Sequence, residues 1–416
     1  MMACCADFED FPTTVQSMPS DRRSRSLVLI IVCQVMAMAL WFSATAVVPA
    51  LKAEGGLDDF TAGLFTSAVQ AGFVIGTLCF ALTGVADRFD PRRIFLISAE
   101  IAALANLAIL ALDPAGPLAI TLRLVTGICM AGIYPIGMKL AVSWAKGNVG
   151  LLVGALVGAL ALGSASPHLF VFAGGVDWRF TLAVASASGA IAGFLILAAD
   201  EGPAAKRAAR FKISDVKAYW TNRGIRYANF GYLGHMWELY AMWAWIGFYF
   251  SLELGGVTGG STAALITFAI LASGALGAVV AGWSADRFGR TAVTSFCMAA
   301  SGSCALLIGF AAGLGPWWMG AVALVWGLTI VSDSAQFSAS VTELSEPDRI
   351  GTMLTLQTCV GFLLTLATIQ ALPWFAELLG WRHAFAPLAI GPFLGVVAML
   401  RLRGFREAVK LAGGRR

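Results

Sequence analysis

About a dozen apolar blocks, each long enough to cross a lipid bilayer, run through this 416-residue sequence. Clear examples are residues 27–48, 64–82 and 384–400. A helix of about 20 mainly apolar residues spans a hydrocarbon core roughly 30 Å thick. Charged residues make up only 12% of the chain, which is too few for the polar surface of a water-soluble protein of this length. The sequence therefore predicts an all-α integral membrane protein.

The apolar blocks and the polar breaks between them predict twelve transmembrane helices. Their expected positions are 27–49, 62–83, 94–112, 117–143, 149–173, 179–198, 225–250, 262–283, 291–313, 316–342, 351–373 and 383–402. An even number of crossings places both chain termini on one side of the membrane. Breaks on that side hold 23 lysines and arginines, whereas the opposite breaks hold only Lys52, Arg179 and Arg382. The positive-inside rule then predicts cytoplasmic termini, so the basic residues report topology and no nucleic-acid partner is expected.

The chain is predicted to be a duplication of a six-helix unit. The tetrapeptide Ala-Asp-Arg-Phe at 86–89 recurs at 285–288, and Trp-Arg at 178–179 recurs at 381–382, with similar offsets of 199 and 203. In transporters built from such repeats, the solute site lies between the halves near the bilayer midplane. The expected organisation is a polar tail (1–25), an N-terminal bundle (26–198), a linker (199–224), a C-terminal bundle (225–402) and a basic tail (403–416).

After residue 25 the chain resembles the major facilitator superfamily over essentially its whole length. The stretch Gly-Trp-Ser-Ala-Asp-Arg-Phe-Gly-Arg at 282–290 closely matches the family's cytoplasmic loop motif. The first-half copy is looser, since Thr83 replaces the leading glycine, and Arg123 with Gly127 resembles the family's fourth-helix motif. The resemblance implies two pseudo-symmetric six-helix bundles and a secondary transporter that exposes a central solute site alternately to each side of the membrane.

The loop motif is predicted to control conformational switching without touching the solute. An aspartate near the N-terminus of the next helix can accept hydrogen bonds from its free amides, and the arginines can pair with acidic groups at the same membrane face. The alternative is that the arginines only set topology. The predicted latch residues are Gly84, Asp87, Arg88, Arg92, Gly282, Asp286, Arg287, Gly289 and Arg290.

Glu238 in predicted helix 7 is the strongest candidate for a functional residue. A charge near the bilayer centre costs at least about 2.5 kcal/mol, so a carboxyl kept there is expected to have a function. His235 lies one turn earlier on the same face, and we expect it to hydrogen-bond Glu238. Such a pair could load and release a proton near physiological pH. The alternative is a structural polar pair between helices.

Asp333 in predicted helix 10 is the second intramembrane carboxyl. Helical spacing places Trp326, Asp333 and Ser340 on one stripe, with Gln336 at its edge. A polar stripe on an apolar helix indicates a wet cavity. Asp333 lies towards the cytoplasmic half of the helix, so a gate or an interhelical ion pair is the alternative to solute contact.

Arg123 in predicted helix 4 is an intramembrane cation. The resemblance implies a role in proton coupling, because the matching family arginine is linked with it. The alternative is an arginine that snorkels to the membrane surface. Tyr134 is expected on nearly the same face, and Lys139 near the end of the helix is expected to snorkel.

Helices 1, 4, 7 and 10 line the cavity in the family, and these helices carry the polar candidates. Trp41 in helix 1 and Tyr240 in helix 7 occupy matching depths in the two halves, although each could serve packing alone. The predicted solute-site residues are Gln34, Trp41, Tyr134, His235, Glu238, Tyr240, Asp333 and Gln336. The predicted proton-coupling residues are Arg123, His235, Glu238 and Asp333.

No enzyme signature accompanies these residues. The sequence has no zinc-ligand pair, nucleophile elbow or phosphate-cradling glycine loop, so no catalytic residue, metal or cofactor is expected. A sensor on a transporter scaffold is the competing class, but it would normally need a larger output region than the break at 199–224. The expected partners are a small-molecule solute, protons and membrane lipid, for a monomer in a bacterial inner membrane. Substrate identity, coupling ion, uptake or efflux, and a start at Met1 or Met18 stay open.

Overall fold

The computed structural model of the chain describes residues 20–54, 57–145, 149–175, 177–203, 213–255 and 260–416. All regular structure within these residues is helical. The long helices are α1 Ser20–Ala46, α2 Asp59–Thr83, α3 Pro91–Ala108, α4 Pro117–Met130 with Tyr134–Val142, α5 Val149–Gly174, α6 Trp178–Leu195, α7 Arg223–Glu253, α8 Gly260–Phe288, α9 Arg290–Leu314, α10 Pro316–Ile330 with Ser334–Leu344, α11 Ile350–Leu379 and α12 Ile390–Arg403. Short helices and 3-10 turns join them at Val48–Ala53, Val85–Arg88, Ile109–Ala111, Ile196–Ala198, Ile213–Asp215, Val216–Thr221, Trp381–His383, Ala386–Ala389 and Arg406–Gly414.

The predicted twelve-helix architecture is confirmed. Over the described residues, 11 helices are long and apolar enough to cross a membrane. The twelfth, α7, is 31 residues long but less apolar, because it carries arginines, glutamates and several Tyr and Trp side chains. Most of the predicted tail 1–25 and the middle of the predicted linker 199–224 lie outside the described residues.

Each half is a helical bundle, and the two bundles meet along two helix pairs. In the first half α1 packs on α5 and α6, while α2 packs on α4. In the second half α7 packs on α11 and α12, while α10 packs on α8 and α9. The halves contact each other along α5 with α8 and along α2 with α11. The centre of the molecule is therefore enclosed by helices from both repeats.

The fourth helix of each half is interrupted at an equivalent position. Turns at 131–133 divide α4, and turns at 331–333 divide α10. Pro135 near the start of the second α4 segment lacks a backbone N–H, so a regular helix cannot continue through it unbroken. Since α10 is also divided, the expected continuous stripe through Trp326, Asp333 and Ser340 is interrupted at Asp333 itself.

Close helix contacts around these fourth helices depend on glycine. A Cβ added to Gly127 in α4 would lie 2.1 Å from the main-chain oxygen of Val69 in α2. A Cβ added to Gly327 in α10 would lie 2.0 Å from the main-chain oxygen of Ile270 in α8. The same backbone-to-backbone approach therefore recurs in both halves, as small residues allow in membrane bundles.

In each half the Trp-Arg repeat contacts a glutamate, Glu54 after the short helix Val48–Ala53 and Glu253 at the end of α7. Trp178 Nε1 donates to Glu54 Oε2 at 3.3 Å in the first half. In the second half Arg382 Nη2 lies 3.6 Å from Glu253 Oε2. The two halves thus use different members of the repeated dipeptide to contact an equivalent glutamate.

Candidate functional site

Glu238 lies buried between three helices of the second half, with 1% of its surface exposed. Its Oε2 accepts a hydrogen bond from Ser301 Oγ of α9 at 2.8 Å. Its Oε1 accepts one from Trp326 Nε1 of α10 at 2.7 Å. Both donors are neutral, so no cation in the described part of the chain forms an ion pair with this carboxyl.

His235 contacts the other buried carboxyl, Asp333, and this corrects the expected partner. His235 Nδ1 lies 2.8 Å from Asp333 Oδ1, and both side chains are at most 2% exposed. The two oxygens of Glu238 are instead occupied by donors from α9 and α10. Spacing along α7 placed His235 and Glu238 on one face, but it could not identify which neighbouring helix each side chain meets. We call Glu238, Asp333, His235, Ser301 and Trp326 the acidic cluster.

The break in α10 determines where Asp333 sits. Asp333 is the last residue of the turn at 331–333, and its main-chain oxygen accepts from Gln336 N at 2.9 Å. It occupies the N-cap position of the second α10 segment, yet its side chain makes no capping hydrogen bond and meets His235 instead. Asp333 therefore links the acidic cluster to a place where the backbone of α10 is not rigidly helical.

Arg123 is fully buried in the first half, and its guanidinium is bound by neutral acceptors. It donates to the main-chain oxygens of Leu40 (3.0 Å), Phe65 (3.3 Å) and Trp41. It also donates to Asn106 Oδ1 at 3.0 Å. The side chain is 0% exposed and points into the bundle, so the snorkelling alternative is wrong. We call these five residues the arginine cluster.

Tyr134 is separated from Arg123 by the break in α4. It starts the second α4 segment, whereas Arg123 lies in the first. The expected common face therefore does not extend across 131–133. Gln34 packs against Gly137 of the second segment, which places this glutamine beside α4 as α1 crosses it.

An aromatic layer joins the two halves at the centre of the molecule. Trp41 of α1 stacks on Tyr240 of α7 with centroids 6.3 Å apart, and both are buried. Phe362 of α11 lies 5.8 Å from Trp41 and 5.0 Å from Tyr240. Phe73 of α2 lies 4.6 Å from Phe362. The structure thus brings the two predicted aromatics, Trp41 and Tyr240, into direct contact across the repeat interface.

Several buried polar atoms without a hydrogen-bond partner belong to Trp41 of this layer or to residues within two helical turns of a layer residue along the same helix. They include Nε1 of Trp41 and of Trp243, and both side-chain amide atoms of Gln34 and of Gln70. Such atoms are uncommon in protein interiors and call for a ligand or water. Gln70 and Trp243 were missed by the sequence reasoning. Gln70 stands inside an apolar block as Gln34 does, so the same criterion could have found it.

The first-half latch residues form contacts that differ from the expected ones. Asp90, rather than Asp87, caps the next helix by accepting from Arg92 N at 2.9 Å. Hydrogen bonds from the Arg92 side chain hold the pKa of Asp90 below its ordinary value. Asp87 lies 2.6 Å from Lys139 Nζ, so the Lys139 ammonium reaches the polar loop at the end of α2. Asp90 occupies the N-cap position because it directly precedes α3.

Two further first-half latch residues lie in the turn after α2. Gly84 ends α2 with a φ of +65°, a conformation that glycine adopts easily. Arg88 ends the short helix Val85–Arg88.

The second-half latch centres on Arg290. Its guanidinium meets Glu343 through two hydrogen bonds of 2.6 and 2.8 Å and donates to Gln336 Oε1 at 2.7 Å. Asp286 Oδ1 lies 3.7 Å away, and Asp286 makes no capping contact to α9 because Gly289 occupies the cap position. The structure therefore places the Gln336 side chain with the latch, although its backbone N–H bonds Asp333 of the acidic cluster.

The remaining second-half latch residues surround this contact. Gly282 is buried within α8, and Arg287 lies over the ring of Trp283, 5.4 Å from its centroid. Gly289 has a φ of +95°, and an added Cβ would lie 1.9 Å from the main-chain oxygen of Arg416. The C-terminal segment also donates Ala412 N to Glu343 Oε2 at 3.0 Å. The basic tail predicted at 403–416 is thus packed on the loop motif.

The helical architecture and the enclosed polar centre define a multi-pass membrane transporter. The family model "Major Facilitator Superfamily" matches residues 30–368, and the chain belongs to this superfamily. Among curated proteins, no sequence matches the chain significantly.

Two solved structures illustrate the fold. The nucleoside transporter NupG, as its D323A mutant, superposes with a TM-score of 0.70 at 14% identity, covering 90% of this chain and 99% of its own. The human organic anion transporter MFSD10 (TETRAN) superposes with a TM-score of 0.68 at 16% identity, covering 92% of this chain and 100% of its own. At these identities the likeness establishes the fold alone.

Proposed function

We propose that this secondary transporter moves a small organic solute by alternating access and that protons bound in the acidic cluster drive it. The observation that carries the proposal is the buried Glu238 carboxyl, which is held by two neutral donors and has no cation partner among the described residues. A charge isolated in this way is costly in a low-dielectric interior, and binding a proton removes that cost. Glu238 is therefore the proton-carrying residue.

The contact between His235 and Asp333 connects proton binding to helix movement. His235 Nδ1 and Asp333 Oδ1 lie 2.8 Å apart, and a change of charge within the acidic cluster would weaken their attraction. Because Asp333 lies in the break of α10, weakening the contact frees the second α10 segment to shift relative to α7. A change of protonation is thereby converted into a change of backbone position.

The solute binds between the halves at the aromatic layer. Trp41 and Tyr240 offer flat apolar surface, while Gln34, Gln70 and Trp243 offer unpaired polar atoms. These features suit a small organic solute that combines a planar apolar part with hydrogen-bonding groups. The two similar structures are named for a nucleoside and for an organic anion, so their shared fold favours neither substrate here.

The orientation follows from charge. The loop-motif arginines and the C-terminal segment lie at one end of the bundle, which we call the basic end. By the positive-inside rule this end is cytoplasmic, which places both termini there. The latch contacts of Arg290 and Lys139 then act on the cytoplasmic face, where they hold one conformation closed.

Transport measurements test the coupling. A thermal-shift screen of purified protein first identifies a solute, since bound ligand raises apparent stability. In proteoliposomes, a gradient of one pH unit should support up to about tenfold solute accumulation per coupled proton. Whether the solute accumulates on the alkaline or the acidic side distinguishes uptake together with protons from export in exchange for protons.

Glu238→Gln should lose accumulation while retaining solute exchange at equal pH. Glu377→Gln is the matched control, because Glu377 is exposed near the end of α11. Transport that ignores the gradient in the wild type, or that still follows it in Glu238→Gln, would rule out this mechanism.

A further inference from the structure

An open cavity of about 600 Å³ lies at the basic end, between the start of α7 and the end of α12. Its lining residues are Arg223, Tyr227, Arg401, Gly404, Phe405, Arg406 and Glu407. None of these belongs to the acidic cluster, the arginine cluster, the aromatic layer or the latch. The cavity is therefore separate from the proposed transport path.

The cavity is positively charged and its arginines are not neutralised. Arg223, Arg401 and Arg406 face one carboxylate, Glu407, and among the described residues none of the three lies within ion-pair distance of an acidic group. Several other arginines at this end are paired with carboxylates. Examples are Arg290 with Glu343, Arg349 with Asp215, and Arg92 with Asp90. The contrast indicates that the three cavity arginines are available to an anion from outside the chain.

Aromatic side chains hold one arginine in place and form a wall of the cavity. The Arg223 guanidinium lies over the Phe405 ring, 3.8 Å from its centroid. Tyr227 packs edge-on against Phe405 with centroids 5.0 Å apart. Stacking of this kind fixes the plane of the guanidinium and leaves its edge N–H groups free for bidentate contacts.

Two exposed aromatics continue from the cavity along the protein surface, one on α7 and one on the short helix Val216–Thr221. Phe230, 40% exposed, lies one turn further along α7 than Tyr227, with ring centroids 5.8 Å apart. Trp220, 44% exposed, lies 6.3 Å from Phe230. Amphipathic aromatics at this position are typical of the membrane interface, where headgroups give way to acyl chains. The basic cavity and the apolar strip thus match the two parts of one phospholipid.

We propose that this cavity binds the phosphate headgroup of an anionic phospholipid, with its acyl chain along Phe230. Arg401 and Arg406 contact the phosphate, and Arg223 completes the site from α7. The lipid would bridge the first and last helices of the second half. Basic pockets between transmembrane helices are known to bind anionic headgroups, and each basic residue near the surface contributes on the order of a fivefold gain in affinity.

The test measures lipid binding to the purified full-length protein in a neutral detergent. Native mass spectrometry and thermal unfolding would be recorded with phosphatidylglycerol, with phosphatidylcholine of the same acyl chains, and with inorganic phosphate. Wild type should retain phosphatidylglycerol preferentially and unfold at a higher temperature with it. Arg401→Gln and Arg406→Gln should each weaken that retention about fivefold. Arg93→Gln, an exposed arginine at the same end of the other half, is the charge-matched control and should behave as wild type.

Three results would overturn the proposal. Equal retention of phosphatidylglycerol and phosphatidylcholine would remove the headgroup preference. If Arg93→Gln and the cavity variants lost phosphatidylglycerol retention equally, the retention would depend on net charge and not on the cavity. A full stabilisation by inorganic phosphate alone would assign the cavity to a free anion. The cavity arginines are exposed, so their variants are expected to fold, and their unfolding midpoints without lipid verify this directly.

Discussion

The two halves of this transporter bury charges of opposite sign. The first half holds Arg123 among main-chain oxygens and Asn106, and no carboxylate in the described part of the chain pairs with it. The second half holds Glu238 and Asp333, with one histidine as their only contacting basic group in the described chain. At the position equivalent to Arg123, four residues before the shared glycine, the second half has the buried Ala323.

The two halves share their backbone contacts and helix breaks, but their buried ionisable side chains differ. The glycine contacts of Gly127 and Gly327, the breaks at 131–133 and 331–333, and the Trp-Arg repeat recur in both. The ionisable groups do not recur. The duplicated unit therefore supplies a common scaffold, and our proposal confines proton binding to the second copy. The predictions below test that division.

The largest expected effect is on stability, from Arg123→Gln. Hydrogen bonds to a charged group contribute about 1.5–3 kcal/mol each, and the shorter amide cannot reach all five acceptors. We expect a loss of about 3 kcal/mol after the relieved desolvation is counted. Glu238→Gln keeps its shape and should lose only about 1 kcal/mol. Thermal unfolding in detergent measures both.

Arg93→Gln is the surface control, expected within about 0.5 kcal/mol of wild type. A stable Arg123→Gln protein that no longer responds to a pH gradient would contradict the division between halves. It would return Arg123 to the proton-coupling role that the family resemblance implies.

The second prediction concerns the shared glycines. An alanine Cβ at Gly127 or at Gly327 would meet a backbone oxygen near 2 Å, so the paired helices must separate. Each variant should be destabilised by about 1–3 kcal/mol, as overpacked sites are. Gly320→Ala is the control, since nothing lies within 4 Å of a Cβ there. Unequal unfolding midpoints for the two glycine variants would mean that the halves are not packed alike.

The third prediction compares the latches. Arg290→Gln removes a two-pronged contact with Glu343 whose groups are 13% and 26% exposed. Lys139→Gln removes a single contact with Asp87 whose groups are 24% and 21% exposed. Allowing for solvent screening, we expect losses of about 1–2 kcal/mol and about 0.5–1 kcal/mol. A larger loss at Lys139 would place the stronger latch in the first half.

The smallest expected effect is at the end opposite the basic end. Trp178→Phe removes the hydrogen bond to Glu54 and should cost about 0.5–1.5 kcal/mol. Arg382→Gln removes a half-exposed pair with Glu253 and should cost less than about 1 kcal/mol. Unfolding midpoints shifted by several degrees in Arg382→Gln alone would show that the equivalent contacts are unequal.

The fold could be predicted from the sequence because its main determinant is local. A run of about 20 apolar residues identifies a span wherever it occurs, and the repeated Ala-Asp-Arg-Phe and Trp-Arg segments identify the duplication. The helix breaks escaped prediction even though Pro135 marks one of them. In α10 no proline signals the break, since Val331, Ser332 and Asp333 all tolerate a helix.

The sequence identified three buried ionisable members of the acidic cluster, but it did not identify which side chains they contact. Glu238, His235 and Asp333 were identified because an ionisable side chain among apolar neighbours is conspicuous. Their partners were not, since Ser301 and Trp326 come from α9 and α10, and contacts between helices depend on tertiary packing. Gln336 was predicted to line the cavity because of its position on the helix, whereas its side chain accepts a hydrogen bond from Arg290 of the loop motif.

The acceptors around Arg123 have a consequence for how this protein can evolve. Three of them belong to the main chain of Leu40, Trp41 and Phe65, and no side-chain replacement can delete a peptide oxygen. Helices α1 and α2 can therefore exchange their side chains around this cation and still bind it. Mutations that change the hydrogen bonds to this guanidinium by removing an acceptor can therefore occur only at Asn106 or Ser43, the two side chains that contact it.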